Sequence, residues 1–529
     1  MLDMKENSSS GVLELQTYEN VEAANDTAVC EKHGTQYDKK DMNRMGKLQQ
    51  LSRNFQFFQI FSIAAILGST WEFALVIIGI SLSNGGPAGG IWMFLVVCFG
   101  MLSVTLSMAE MASMMPISGG QYHWVSELAP KRHQKLLSYL VGWMCAIGWQ
   151  CAMGTTALAA TQQLQGLIAL NVPNYIIRPW HSTLFCIAVM VFAIIWNTLV
   201  TKKLPLVEGI VIVLYVVGFL SFVVVLWVMA PHTNTKDVWT KFEDNSGWGN
   251  VGLSTLVGLL GPVVTLIGSD SSCHLSEETV DAAWVLPRAM VATATLNYTI
   301  GFIMAVTVMS SLGDDVSAIL ATTYGQPWIQ IMFNATGSRA ATSVMVTVVC
   351  VLLLFCSSYG IMTVSRQLFA LARDKGLPFS DWLAYIHPSY YLPVNALLAT
   401  FFITTLLSLI ILGSSIAFNV ITSLGQLGLV FSYLIAISCV MAKRLQAPQD
   451  LLQARFSLGQ AGMFINAVAL CFLALVSVFL FFPAAPNPTA ESMNWSCVMF
   501  SGLLTFALVW YWLAARHRYL GPVAYVKEV

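Results

Sequence analysis

Polar positions in this chain do not alternate with apolar ones at a helical or strand period; they are confined to short stretches between long apolar runs. The runs are built of Leu, Val, Ile, Phe, Ala and Met and last roughly 20 residues or more, the length that crosses a hydrocarbon core about 30 Å thick. They fall at about residues 55–83, 89–115, 137–169, 181–200, 205–229, 250–280, 289–311, 340–372, 394–412, 415–442, 462–482 and 495–515. The pattern predicts an all-α polytopic membrane protein with twelve transmembrane helices. Several runs are long enough to tilt or break. The run at 250–280 is the least uniform, because its second half carries Asp270, His274, Glu277 and Glu278. Residues 1–50 are polar and read as a disordered tail. Residues 51–515 read as one twelve-helix domain and 516–529 as a short tail. No cleavable signal is expected in the polar start, so the first span is expected to direct insertion.

Composition agrees with this reading. Hydrophobic residues make up 56% and charged residues 10%, against about 25% charged in soluble chains. The net charge of −1 says nothing about partners, and no basic block suggests nucleic acid. Most of the 11 cysteines sit inside apolar runs, without CxxC or secreted-domain spacing, and read as small buried hydrophobes. Cationic residues mark cytoplasmic loops. With the N-terminus placed in the cytoplasm, only Arg178, Lys236, Lys241 and Arg339 of the 26 Lys and Arg fall outside. Both termini are therefore expected in the cytoplasm. The sequons at Asn334 and Asn494 then face outward as candidate glycosylation sites, and those at Asn7 and Asn25 do not. Trp92, Trp180, Trp239, Trp495 and Tyr511 lie near span ends and suit interfacial anchoring.

No Walker-type phosphate loop, HExxH, GxSxG or His/Cys cluster with metal spacing occurs. The residues therefore point to no enzyme, cofactor or metal. What stands out instead are interruptions of apolar helices. Ile66-Leu67-Gly68-Ser69-Thr70-Trp71-Glu72 puts a glycine, two hydroxyls and a carboxylate near the middle of the first span. In the sixth, Gly261-Pro262 precedes Thr265-Leu266-Ile267-Gly268-Ser269-Asp270, and the proline is expected to kink or open the helix. Backbone groups freed in a bilayer persist only where they face packed protein or a cavity. Breaks at the head of each of two five-span halves are the sequence pointer to an inverted-repeat transporter. The plainer alternatives are a close helix contact at Gly-Ser-Thr and a structural kink at Gly-Pro.

Intramembrane carboxylates are costly and tend to face the interior with a purpose, which singles out Glu72 and Asp270. Glu110 is read first as a partner of the adjoining loop and second as a proton-handling group. Glu208 is read as an interfacial partner of Lys202 or Lys203. Ser357-Ser358 in the eighth span either complete a cation site against the first span or bond back to their own helix.

Three longer motifs carry a resemblance. Residues 108–113 (MAEMAS) with 116–124 (PISGGQYHW), residues 268–279 (GSDSSCHLSEET) with Pro287-Arg288, and residues 365–378 (SRQLFALARDKGLP) with Pro393-Val394-Asn395-Ala396 appear in that order. Together they resemble the signatures of the amino acid–polyamine–organocation permeases, most of all the fungal branch holding GABA and choline permeases. The resemblance covers residues 50–515. It implies a five-plus-five inverted repeat with broken helices 1 and 6, followed by two further helices, and secondary transport of a small amine or amino acid. It also implies the proton as driving ion and substrate contacts at Gly68, Ser69, Thr70, Thr265, Leu266, Ile267 and Gly268. Many members have glycine where Thr70 stands, so Thr70 is expected to crowd a substrate carboxylate. Trp71 and Glu72 offer an aromatic face and a counter-charge suited to an ammonium head. Asp270 and Glu110 join Ser357 and Ser358 as coupling candidates. The expected protein is a plasma-membrane symporter for GABA, choline or a related compound. A broad-specificity amino-acid permease and a non-transporting nutrient sensor of the same fold are the rival readings.

Overall fold

The structure is a computed structural model. It describes residues 34–521 apart from 48, 200–203, 314, 389–390, 414–416, 490–491 and 520. Asn7, Asn25, Lys202 and Lys203 lie outside the described residues. Twelve helical segments are long and apolar enough to cross a bilayer: spans 1 to 12 are Phe57–Ser83, Gly86–Met114, Gln134–Asn171, Pro179–Thr198, Val207–Met229, Val251–Glu278, Ala282–Ser310, Arg339–Arg373, Val394–Leu412, Phe418–Gln446, Gly459–Phe479 and Ser496–Arg518. They coincide with the apolar runs to within a few residues. With an even number of spans among the described residues, the start of span 1 and the end of span 12 lie at one end of the bundle, the terminal face.

Burial separates central spans from peripheral ones. Within the most apolar window, 78% of residues in spans 1 and 3 are buried inside the protein, against 11% in span 12. Span 1 is therefore wrapped by other helices, and a break in it can be satisfied by protein rather than lipid. Span 3 packs along spans 8 and 10, and span 2 along span 7. The approach of spans 3 and 10 is backbone to backbone: a Cβ on Gly428 would stand 2.6 Å from the Met144 carbonyl oxygen and 2.7 Å from the Gly148 amide nitrogen. Small residues permit this closeness, which drives helix association where no hydrophobic effect is available. At the opposite end, Asn84–Gly85 after span 1 pair antiparallel with Glu243–Asp244 before span 6.

The expected disorder of residues 1–50 requires correction for its last part. Gln36–Arg44 form a helix, started by a capping box between Thr35 and Asp38. Asp38 is buried and accepts from the amides of Asp281 (2.8 Å) and Ala282 (3.0 Å) at the start of span 7, and it pairs with Arg53 at 3.1 Å. The first amides of span 7 need an acceptor, and Asp38 supplies one with a charge that suits a helix amino terminus. That long-range demand folds a segment whose own composition reads as tail.

Candidate functional site

Span 1 is broken where its sequence is interrupted. Phe57–Gly68 ends at Ser69, whose φ of 41° and ψ of 41° are left-handed, and Thr70–Val76 begins a new helix. A non-glycine residue there is strained by about 1–3 kcal/mol, and local bonds hold it: the Ser69 hydroxyl donates to the Ile66 carbonyl at 2.7 Å and its amide to Ile66 at 3.1 Å. The neighbouring carbonyls find partners on other spans. Asn297 Nδ2 of span 7 donates to Ala65 at 3.1 Å, and Cys356 Sγ of span 8 donates to Leu67 at 3.2 Å. Tyr215 of span 5 fixes Asn297 by donating to its Oδ1 at 3.0 Å. Gly68 is required here, because a Cβ would lie 2.4 Å from Asn297 Nδ2.

Span 6 also breaks, but not where the proline was expected to open it. Val251–Gly258 and Leu260–Leu266 are separated only by Leu259, which keeps helical angles. Pro262 clashes with the carbonyl four residues earlier, so its effect is this mild interruption beside Gly258. The opening lies further on, at extended Ile267 and at Gly268, whose φ is 96°. The chain then continues as the tight helix Ser271–Glu278. Tyr298 of span 7 donates to the freed Leu266 carbonyl at 3.1 Å.

The two breaks border a cavity of about 80 Å³. Gly68, Ile267 and Gly268 line it with Leu67, Phe73, Val264, Trp149, Thr155 and Thr156 of span 3, Gly360 of span 8, and Thr422 and Gln426 of span 10. No charged side chain lines it. Thr70, Thr265 and Leu266 instead line a pocket of about 30 Å³ toward span 7, which Gly68, Ile267 and Gly268 also border. Thr70 does not crowd the main cavity. Its methyl packs on Gly301, where a Cβ would stand 2.5 Å from Thr70 Cγ2. A third cavity of about 160 Å³ shares Val264, Thr422 and Gln426 with the first and extends to Asn84, Phe418, Ala484 and Asn494 at the end opposite the terminal face. The span 3 and span 10 residues were not anticipated, since hydroxyls and amides in unbroken helices give no local signal.

Three candidates from span 1 stand apart. Ser69 is fully buried, with its hydroxyl committed to Ile66. Trp71 does not offer its ring to a ligand: it is buried among Tyr215, Phe219 and Phe222, with ring centroids 6.2, 6.5 and 5.1 Å away. Glu72 is fully buried, lines none of these cavities, and neither of its carboxylate oxygens has a hydrogen-bond partner among the described residues. The counter-charge role expected of Glu72 is thus corrected. The left-handed Ser69 resets the helical phase, so Thr70 and Phe73 turn to the cavities while Trp71 and Glu72 turn toward spans 5 and 8.

The coupling candidates are placed as follows. Asp270 is buried at the centre of a polar cluster, accepting from Gln121 Nε2 (2.6 Å), Trp149 Nε1 (3.1 Å) and the Tyr433 hydroxyl, with His274 Nε2 at 3.3 Å. Glu110 pairs with Arg444 and accepts from the Leu458 amide at 3.0 Å. It holds a loop, as its structural reading had it, but the loop is that between spans 10 and 11. Ser357 and Ser358 bond back to Leu353 and Leu354, each at 2.9 Å, and build no cation site with span 1. Asn334 is exposed on a helix of the loop before span 8. Asn494 is buried, and its Nδ2 donates to Leu480 and Phe482, both at 3.0 Å, so that nitrogen is committed to the fold. Glu208 faces inward, buried, with both oxygens unpartnered among the described residues.

Between the breaks and the terminal face the chain is clasped by charge. Glu278 binds Arg366 at 2.7 and 3.4 Å, and Glu277 binds Arg373 at 2.7 and 2.8 Å. The acids end span 6 and the cations end span 8, so two of the three motifs grip each other. Asp374 takes Lys47 and the hydroxyl of Tyr122, the latter at 2.9 Å. Burial and Asp374 push the Tyr122 hydroxyl well up. Beside it, His123 is buried, and burial with the nearby Lys47 and Arg373 charges holds its imidazole down at about 3.

Comparison with known proteins agrees with this architecture. Residues 55–503 match the amino acid permease family. An uncharacterized amino-acid permease of Schizosaccharomyces pombe is 28% identical over 495 residues, covering 92% of this chain and 85% of its own. Amino-acid permease 2 of Neurospora crassa is 28% identical, over 93% of this chain and 90% of its own. A choline transporter of Saccharomyces cerevisiae is 26% identical, over 87% and 81%. These relatives are transporters, not enzymes, and with twelve apolar spans and a family match over most of its length, this chain is a multi-pass membrane protein that belongs to the amino acid permease family.

Proposed function

We propose that the protein is a proton-coupled permease for a small amine or amino acid, of the size and chemistry of GABA or choline, that alternates access around the cavity between the two breaks. The supporting observation is that cavity: Gly68 beside the opening at Ser69, and Ile267-Gly268 at the other opening, border one space with hydroxyls, an amide and aromatic rings but no charged side chain among the described residues. Gly68, Ile267 and Gly268 line it directly, and Ser69, Thr70, Thr265 and Leu266 shape the breaks. The faces of Trp149 and Phe73 take the place expected of Trp71 in meeting an ammonium head. Asp270 and Glu110 brace the terminal half in this reading. The distribution of Lys and Arg supports cytoplasmic termini, and in this reading the protein sits in the plasma membrane with Asn334 as the accessible glycosylation site.

Uptake of labelled GABA, choline and the amino acids by permease-deficient cells expressing the protein at their surface tests the reading. Uptake of one or a few of them is expected. Retained ligand binding without uptake of any would defeat the transporter reading, and uptake unaffected by collapse of the proton gradient would remove the proton.

A further inference from the structure

Two buried carboxylates are left without partners, and they share a neighbour. Glu72 of span 1 and Glu208 of span 5 are both fully buried, and none of their four oxygens has a hydrogen-bond partner among the described residues. Glu72 lies within electrostatic reach of Tyr215 in span 5 and Cys356 in span 8. Glu208 lies within reach of Tyr359, whose hydroxyl is also unpartnered. Cys356 and Tyr359 are one turn apart on the same face of span 8. Tyr215 and Glu208, seven residues apart, share a face of span 5, about 10 Å along its axis. The two acids therefore follow one side of span 8, with Glu72 at the depth of the break and Glu208 toward the terminal face. Neither acid lines a cavity described above.

A second observation points the same way. The oxygens at the span 1 break that would suit a bound cation already have donors: Ala65 has Asn297, Ile66 has Ser69, and Leu67 has Cys356. The Ser357 and Ser358 hydroxyls are turned back into their helix. The break thus offers a cation few uncommitted oxygens, and an unpaired carboxylate in a bilayer interior is the default mark of an ion or proton pathway.

We propose that Glu72 and Glu208 are the two stations of a proton path along span 8, separate from the substrate cavity. The step is a proton transfer alone. The O–H bond at Glu72 breaks and one forms at Glu208; neither acid is hydrogen-bonded to the other or to the Tyr359 hydroxyl, so water carries the proton between them, each molecule accepting one proton as it passes on its own, and Tyr359 flanks the Glu208 end. Among the described residues, the titratable groups facing the pair are Tyr215 and Cys356 at Glu72 and Tyr359 at Glu208. Arg366, two turns beyond Tyr359, is committed to Glu278. Tyr298, on the span 7 helix packed beside Thr70–Val76, is committed to Leu266.

The inference rests on the proton-coupled reading above, and one experiment separates the two. Proteoliposomes carrying a lumenal pH dye are given labelled GABA, or choline where GABA is not carried. Wild type is expected to acidify the lumen as substrate enters. Absence of acidification in wild type during uptake would defeat proton coupling itself, before any variant is made. Glu72→Gln should lose acidification and gradient-driven uptake while still exchanging labelled for unlabelled substrate. Acidification by Glu72→Gln at the wild-type ratio would overturn the path, as would loss of substrate binding, which would make Glu72 a substrate contact. Should Glu72→Gln not assemble, Glu208→Gln and Tyr359→Phe stand alone: both should slow gradient-driven uptake with exchange intact. Unchanged uptake in both would overturn the path.

Discussion

The two halves of the bundle, above and below the breaks, are held shut by different forces. From Asp270 to the terminal face, spans 6 and 8 are joined by the buried pairs Glu277 with Arg373 and Glu278 with Arg366, and Asp374 just after span 8 ties in Lys47 from the segment before span 1. At the opposite end, spans 1, 6 and 10 meet around a cavity of about 160 Å³ lined by apolar, hydroxyl and amide side chains. Its rim residues Ala484, Ala485 and Ser492 are exposed. The ion pair nearest that end, Lys241 with Glu243 at 2.7 Å, lies on the surface. One end thus carries a separate cavity that shares Val264, Thr422 and Gln426 with the site, and the other is locked by ion pairs. The lock is electrostatic and geometrically specific, so opening toward the terminal face requires separating ion pairs, whereas no charged side chain among the described residues lines the cavity at the other end.

The sharpest way to break this comparison is at Asp270, which ties span 6 to span 3, span 10 and the helix Gln121–Leu128. Asp270→Ala leaves up to four buried donors without an acceptor, each costing about 1–3 kcal/mol. The total is comparable with the about 5–15 kcal/mol that holds a typical fold. Loss of monodisperse protein on size exclusion after detergent extraction is expected, and a wild-type elution profile would show that the cluster does not hold the terminal half.

Next in size is the clasp itself. Removing one partner of a buried pair costs about 3–5 kcal/mol, because the other charge stays buried and alone. Arg373→Ala should lower thermal stability and raise labelling of a cysteine placed at Ser272 by an impermeant reagent from the terminal side. Lys241→Ala, at the exposed pair, should change stability by less than about 1 kcal/mol. Equal effects at the two sites would erase the distinction between locked and open ends.

A smaller effect is expected at the site. Gly301→Ala drives a Cβ against Thr70 Cγ2, an overpacking worth about 1–3 kcal/mol. Uptake and thermal stability should fall together, and Thr70→Ser, which removes the methyl, should restore both in the double variant. Additive losses would place the Thr70 methyl elsewhere.

Legibility in the sequence followed the range of the interaction. The twelve spans are set by local apolar length, and all were readable. The span 1 break was readable from Gly68-Ser69. In span 6 the proline drew attention to Gly261-Pro262, but a proline acts on the turn before it, and Gly268, free to take a positive φ, made the opening. The direction of Glu72 was hidden because four residues after Gly68 means the same face only in a continuous helix, and Ser69 interrupts it. The partners of Asp270 come from Gln121, Trp149 and Tyr433, separated by up to 163 residues in sequence. No periodicity reports such a convergence. Asp38 escaped notice for the same reason, since its role is fixed by amides more than 240 residues away.

The gentlest test uses pH. His123 lies in the helix Gln121–Leu128, outside the spans, with both ring nitrogens buried and unpartnered among the described residues. Its imidazole titrates at about 3 in the folded protein, against about 6.5 in an unfolded chain. Between these values the unfolded chain binds a proton that the folded protein refuses, so stability falls as pH drops below about 6.5, by up to about 1.4 kcal/mol per unit. The cause lies partly in the clasp: Lys47 and Arg373 repel a charged imidazole, while Glu277 opposes them more weakly. His123→Phe should flatten the acid-side loss of thermal stability between pH 6.5 and 5. Burial holds the imidazole down first and the Lys47 and Arg373 charges add to it, so adding Arg373→Ala to the wild-type histidine should keep the slope between pH 6.5 and 5 and raise only the pH at which the loss levels off. An unchanged slope in His123→Phe would mean that the acid sensitivity of the terminal half comes from the carboxylates of the clasp rather than from the imidazole wedged beneath it.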